Sequence, residues 1–535
     1  MAIAWLRSFS PLVLAASVTL SATAFAAETA DNFSEHYQSA VNFMVSGDRE
    51  HAAGEFRAFL TTAFHRLANG EAGNGAFEAA FRDFEEALKF SPDDIAVKSD
   101  YARACLDADK PVQARALAES AVTSEPNADT TLLYGRALFH MGEFSRAVAE
   151  LQRSYRLQPG FNTGYLLAKT YLLLRQEGDA RTLFRQMASA FGDTARTHVF
   201  FGRAYSETDY RAEAIEEFHR AMNKEPRAPD VHYYLGVALL GHNESVRYAQ
   251  AIPEFQAELE RNPSDFRSHY MLGYIALKQR DFGEAEKELS AALRLRPEDF
   301  ESLLKLAEVY LGTDRDRDAE GLLRSAISSQ PQQATEQLSR AHYALARILE
   351  RRGSRQEALK EFEAVAAIQR QLGPISTQTE DKHTAEAQER AIATGPEWVA
   401  KSAQLEQFKT HLAPALAQSY DSLGIIAAGD GHFVQAVTDF KTAASWDPTL
   451  QDLDRNLGRA AFLAGDFRQA IAALSKYLET HPQDPSARGT LGLSLFHLGE
   501  YEKVVDVLAP MQEAMQSNPE LLNAYTVSLG KTGKK

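Results

Sequence analysis

At 535 residues, 44% of them hydrophobic and 24% charged, the chain is too long for one compact core, so several domains or an extended repeat array are expected. A formal net charge of −16 excludes the broad basic face that a nucleic-acid binder needs. Cys105 is the only cysteine, so no intramolecular disulfide staples the fold and stability rests on packing.

The N-terminus reads as an export signal. Arg7 supplies a positive charge, Pro11 to Leu20 ("PLVLAASVTL") a short apolar stretch, and Ala24-Phe25-Ala26 an A-x-A-like cleavage site, which sets residues 1–26 as a signal peptide and Ala27 as the expected mature start. No later stretch approaches the ~18 consecutive apolar residues of a membrane span. The expected location is therefore the periplasm or the exterior, with no integral membrane segment after cleavage.

Beyond the signal, one spacing recurs. Gly202, Tyr205, Ala214, Phe218, Ala221 and Pro226 are repeated as Gly273, Ala276, Ala285, Leu289, Ala292 and Pro297, and again as Ala307, Tyr310, Ala319, Leu323, Ala326 and Pro331. Gly135 to Pro159, Gly424 to Pro448 and Gly458 to Pro482 carry the same set. The period is about 34 residues, and the elements are two short helices and a turn, closed by a proline that cannot continue the second helix. Small residues such as Gly202 and Ala214 let the helices approach, while Tyr205 and Phe218 fill the space beside them.

This pattern resembles the tetratricopeptide repeat family. The tryptophan of the family signature is absent; Thr131, His198 and His269 occupy its place. The resemblance implies an all-α fold, a right-handed α-solenoid of stacked helix-turn-helix repeats whose first helices line a concave groove. Repeat starts fall near Phe33, Thr61, Ile95, Ala128, Phe161, Ala195, Pro229, Phe266, Phe300, Ser339, Ala417, Gln451 and Pro485, the first two and the last degenerate. The domain reading is accordingly an N-terminal array over 27–372 of about ten repeats, an inserted loop and helix segment over 373–416, a C-terminal array of three repeats over 417–518, and a capping helix with a basic tail over 519–535. Extra residues in "GHNESVRYAQ" enlarge one inter-helix turn, and "GEAGNG" (Gly70 to Gly75) reads as another. Cys105, at the Tyr205 position of its repeat, is expected as a buried small hydrophobe.

Motifs for chemistry are missing. There is no H-E-x-x-H, no G-x-S-x-G, no phosphate-binding loop and no metal-spaced His cluster, so no enzyme activity, cofactor or metal is expected. His219 reads as an exposed helix residue, and the acid pairs Glu216-Glu217 and Glu85-Glu86 as solvated faces, because adjacent helical residues diverge.

By resemblance, the residue after each Gly202-type position faces the groove. In four successive repeats it is Arg103, Arg136, Lys169 and Arg203, a basic ladder in an acidic chain. Four residues earlier, Tyr165, Val199, Tyr233, Tyr270, Leu304 and Tyr343 form an aromatic and aliphatic strip. Together they suit an extended peptide, acidic or engaged at its C-terminus, with cations on carboxylates and tyrosines over apolar side chains. The opposing reading is that these are ordinary helix-surface charges paired with neighbouring acids. Members that clamp a C-terminal carboxylate use a Lys, Asn and Arg set, and Arg203 stands where an Asn belongs, so that subtype is not supported. The functional expectation is a non-catalytic exported scaffold binding protein or peptide partners, in envelope complex assembly or export. The alternative is a polysaccharide- or peptidoglycan-associated subunit of an export or remodelling machine, its tyrosines stacked on sugars.

Overall fold

The computed structural model describes residues 33–240, 245–329, 335–372, 396–511 and 515–533. The expected signal peptide, the tip of the enlarged turn at 241–244 and the inserted segment over 373–395 lie outside these residues. Among the described residues every regular element is a helix, and the chain forms two compact units: residues 127–392, and a discontinuous unit made of 1–126 with 393–535.

The contiguous unit is a run of helical hairpins, from Ala128–His140 with Phe144–Leu157 to Glu336–Arg351 with Arg355–Leu372. Three local rules shape most of them, the hairpin Phe161–Leu173 with Glu177–Phe191 lacking the side-chain cap and the proline. The first helix is opened by a side-chain cap: Asn127 accepts from the Thr130 amide, Thr194 from Thr197, Asp265 from Ser268 and Asp299 from Ser302. The turn between helices needs one left-handed residue, which is Gly142 or Gly353 in some repeats and Arg175, Asp209, Arg280 or Asp314 in others, at φ between 59° and 84°. The second helix stops where the residue before a proline is forced extended; Glu225, ahead of Pro226, has φ −145° and ψ 97°.

Between the helices the close approach is set by glycine. A Cβ on Gly202 would lie 2.5 Å from Cε1 of Phe218, which is fully buried, and Gly273 stands in the same relation to Leu289. Ala214 and Ala221, both without exposure, complete the contact. Hairpins with this glycine thus bury one large residue against one missing side chain, Ala307 and Ala346 take its place in the last two, and the next hairpin covers what remains.

The discontinuous unit departs from this regularity. The helix Arg49–Gly73 is 25 residues long and runs straight through Thr61, the expected start of a second repeat. No proline or left-handed residue interrupts it there, so what would be the second helix of one repeat continues as the first helix of the next. "GEAGNG" is correspondingly not all turn: the helix extends to Gly73, and only Asn74 and Gly75 (φ 73°) turn the chain. From Phe59 to Ala68 no residue is exposed, because the helix is covered on two sides. Phe77–Phe90 lies on one; the other is the 34-residue helix Pro396–Gly429, which joins the end of the inserted segment to the expected repeat start at Ala417 without a break.

That second contact is built from both ends of the chain. Phe64, 2% exposed, meets the rings of Tyr420 at 6.4 Å and Trp446 at 6.0 Å, and Phe90 meets Tyr420 at 5.8 Å. The Tyr420 hydroxyl donates to Glu86 Oε1 at 3.0 Å, and Lys409 Nζ reaches the buried Glu71 at 2.7 Å. Gly70 lets Leu405 come so close that a Cβ there would lie 2.7 Å from Leu405 Cδ1. Residues 33–124 therefore serve the C-terminal helices as a preceding repeat would. The unit boundaries fall after residue 126 and near 392, whereas periodicity placed the major division at 372.

Candidate functional site

The first helices of the contiguous unit carry most of the expected ladder and strip. Arg136 is half-buried on Ala128–His140. Lys169, on Phe161–Leu173, places Nζ 2.7 Å from Glu207 Oε2 and 5.6 Å from the centre of the Phe139 ring. Arg203, on Ala195–Ser206, approaches the other oxygen of Glu207 at 3.8 Å and lies over Tyr234 at 4.9 Å and Phe200 at 5.7 Å. Two rungs of the ladder thus share one carboxylate. Arg103 belongs to the discontinuous unit, where it is exposed and pairs with Asp100, a carboxylate that His65 and Asn69 also reach.

The strip is half sunk into the helices. Tyr165 sets its ring edge against Phe200 at 5.9 Å. Tyr233 packs on Phe255 and Tyr234 with Arg267 4.3 Å above its ring, and burial drives its hydroxyl well above the ordinary tyrosine range. Tyr270 stacks between Phe266 and Tyr274, and burial, aided by Glu301 and Asp299, pushes its hydroxyl up likewise. Tyr343 is the open one, 52% exposed with an edge contact to Phe362. Val199 and Leu304, at the same repeat position, are buried and act as core.

Between the expected residues the structure inserts others. Phe139, Lys169, Glu207, Arg203, Tyr234 and Arg267 follow one another as alternating rings and charges, each touching the next or bridged by a ring. Arg267 is held by Asp230 and Asp265; burial works against its charge, but the two carboxylates, with the neighbouring Tyr233, outweigh it and keep the guanidinium firmly cationic. Glu207 and Tyr234 are not marked by the repeat spacing, because one lies beyond the first helix and the other beside the strip position of Tyr233. Arg267 sits at the second residue of its helix, outside the register of the ladder and strip positions. Such a surface can lay a flat apolar group on a ring and give a carboxylate two guanidinium or ammonium partners.

Two expectations about titratable residues divide here. His219 is exposed, as the spacing suggested, and Cys105 is fully buried with its thiol pushed up to about 12 by burial. The acid pairs are a correction. Glu216 is exposed, but Glu217 is buried and binds His198 Nδ1 at 2.5 Å, because its position faces the partner helix. Glu86 is half-buried at the junction with Tyr420, while Glu85 is exposed yet accepts from the Tyr101 hydroxyl at 3.1 Å. Among the described residues no group of three or more His, Cys, Asp or Glu side chains is arranged for a metal, and no helix is long and apolar enough to cross a membrane.

Models of tetratricopeptide repeats match residues 71–130, 201–266, 244–299, 270–334, 427–492 and 461–526, together more than half of the chain. The chain belongs to the tetratricopeptide repeat family. Solved structures repeat the resemblance at lower identity. MamA 41-end from Desulfovibrio magneticus RS-1 is 21% identical over 35% of this chain and all of its own, with a TM-score of 0.31. YrrB, described as a TPR protein with an unusual peptide-binding site, is 18% identical over 40% of this chain and 93% of its own, with a TM-score of 0.23. No curated protein matches the chain. Tetratricopeptide repeat proteins are generally non-catalytic scaffolds that bind protein or peptide partners, and this tetratricopeptide repeat protein shares their helical-repeat architecture.

Proposed function

We propose that the protein is a non-catalytic, exported scaffold that binds an extended peptide segment of a partner protein along the first helices of residues 127–372. One observation carries this reading: half-exposed rings and cations succeed one another from Phe139 through Lys169, Arg203 and Tyr234 to Arg267, spanning five successive repeats. Lys169 and Arg203 converge on Glu207, with the half-buried Arg136 one repeat earlier, a concentration of cationic side chains that suits acidic side chains or a chain terminus. Arg7, the apolar stretch Pro11–Leu20 and Ala24-Phe25-Ala26 support export, and with it work in envelope assembly. Mass spectrometry of the purified protein should find Ala27 at its N-terminus; retention of Met1 would remove the export part.

The groove is tested by crosslinking the mature protein to its partners in the native envelope, with wild type beside an Arg136→Glu, Arg203→Glu double variant. Binding that weakens with salt and is lost in the variant at unchanged helix content supports the reading. Undiminished crosslinking by the variant removes the ladder. Salt-insensitive capture of glycan strands would instead favour tyrosines stacked on sugar.

A further inference from the structure

The position that the family signature gives to tryptophan is occupied in several repeats by a histidine, and each has a glutamate of the second helix in reach. His36 meets Glu55 at 2.6 Å, His198 meets Glu217 at 2.5 Å, His269 meets Glu288 at 2.6 Å and His342 meets Glu361 at 2.6 Å, always 19 residues apart. His232 meets Glu254 at 2.7 Å across 22 residues, the three additional residues being those of the enlarged turn. A contact that keeps its geometry when the intervening loop changes length belongs to the hairpin and not to the loop.

The pairs of the two adjacent repeats at His198 and His232 are the most consequential. His198 shares its helix with Arg203, and His232 is next to Tyr233, so each pins a helix that presents candidate partner-binding residues. His198 is 7% exposed. From the paired helix it faces Glu217, which Arg220 also reaches at 2.7 Å; from the preceding loop it faces Asp193 at 2.7 Å, itself held by Lys224 at 2.7 Å. On its own helix it meets the edge of Phe201. His232 faces Glu254 and the Pro226 carbonyl, with the fully buried Glu258, paired to Arg261 at 2.8 Å, further along the same helix.

We propose that the His198–Glu217 and His232–Glu254 pairs are proton-operated clasps, which tighten these two hairpins under mild acid and loosen them as the surroundings become alkaline, thereby setting the presentation of Arg203 and Tyr233. The chemistry is reciprocal. A protonated imidazole donates to the carboxylate as an ion pair in a half-dry setting; a neutral one leaves the glutamate with only a neutral donor. The direction agrees with the hydrogen-bonded carboxylates, which hold both histidines above the ordinary 6.5 against the opposing effect of burial. A histidine raised on folding contributes its full stability below pH 6.5 and loses it as pH rises through the higher folded value. The window therefore opens at pH 6.5 and extends upward.

The proposal extends the peptide-binding reading but is measured without any partner, so either can fail alone. The full chain is compared with a His198→Gln, His232→Gln variant, in which glutamine still donates to the carboxylate but does not titrate. Melting followed by circular dichroism from pH 6 to pH 8 should show a fall in wild type that exceeds the variant's by roughly 2–4 °C. Equal falls in the two proteins would overturn the proposal. Should the variant not fold, histidine ring resonances of the wild-type chain, assigned with the single variants, decide the matter: both should titrate above pH 6.5, and titration at or below it contradicts the clasp.

Discussion

Residues 127–392 and the unit formed by 1–126 with 393–535 use the same helical hairpin in opposite ways. In the first, every hairpin finds its neighbours next in sequence, and its polar contacts stay within one repeat, as in His198–Glu217, or reach an adjacent one, as in Lys169–Glu207. In the second, Phe64 and Tyr420 meet although the Tyr420–Glu86 hydrogen bond beside them spans 334 residues. Repeat arrays are usually held by sums of local terms, so the local unit should tolerate damage by degrees. The non-local unit must close a long loop first and should lose its two ends together.

The largest expected break is Phe64→Ala. It removes a fully packed ring from the junction of the two chain ends and should cost about 3–5 kcal/mol, seen in urea denaturation as an early transition that spares residues 127–372. A single undivided transition shifted as a whole would erase the distinction between the units. On the local side, Gly202→Ala forces a methyl against the Phe218 ring, and a loss of about 1–3 kcal/mol is expected in the other transition. An unshifted midpoint there would contradict the assigned register.

Protons sharpen the contrast. In the non-local unit burial pushes the carboxyls of Asp83 and Asp421 up to about 7 and that of Asp439 up to about 6, with Glu71 adding to the effect on Asp83. A carboxyl raised on folding contributes fully below its unfolded value near 3.8, and that contribution is lost as pH rises through the folded value. Asp421→Asn should thus come nearest wild type below pH 3.8 and exceed it at pH 8, on the order of 1–3 kcal/mol, in the transition assigned to the junction. Denaturation midpoints that stay equal at pH 8 would show that Asp421 ionises freely. The smallest effect belongs to the turn of a local hairpin: Arg280 has φ 60°, and Arg280→Gly should stabilise by about 0.5–1 kcal/mol, measurable as a raised melting midpoint.

The difference between the units also explains what could be read from the chain. Gly202, Ala214, Phe218 and Pro226 announce their hairpin because every rule that forms it acts within about 34 residues. The same is true of Cys105, whose burial follows from its register. The continuous helix Arg49–Gly73 was obscured because repeat starts were carried forward by period, although the stretch around Thr61 lacks a breaker. The pairing of Phe64 with Trp446 leaves no periodic trace at all, since one side chain need only fit another hundreds of residues away. At the candidate site, Lys169 and Arg203 were visible as a repeat position, but their shared Glu207 was not. The His–Glu spacing of 19 residues is legible in the sequence, but a histidine in place of the signature tryptophan does not by itself name its glutamate partner.

Hydrogen exchange of the full chain, wild type against Phe64→Ala, tests the two-ended unit most directly. The account predicts that protection falls together in Arg49–Gly73 and in Phe433–Trp446, while the helices from Ala128–His140 to Asp316–Ser329 keep theirs. Loss confined to the N-terminal helices, with Phe433–Trp446 unchanged, would contradict it.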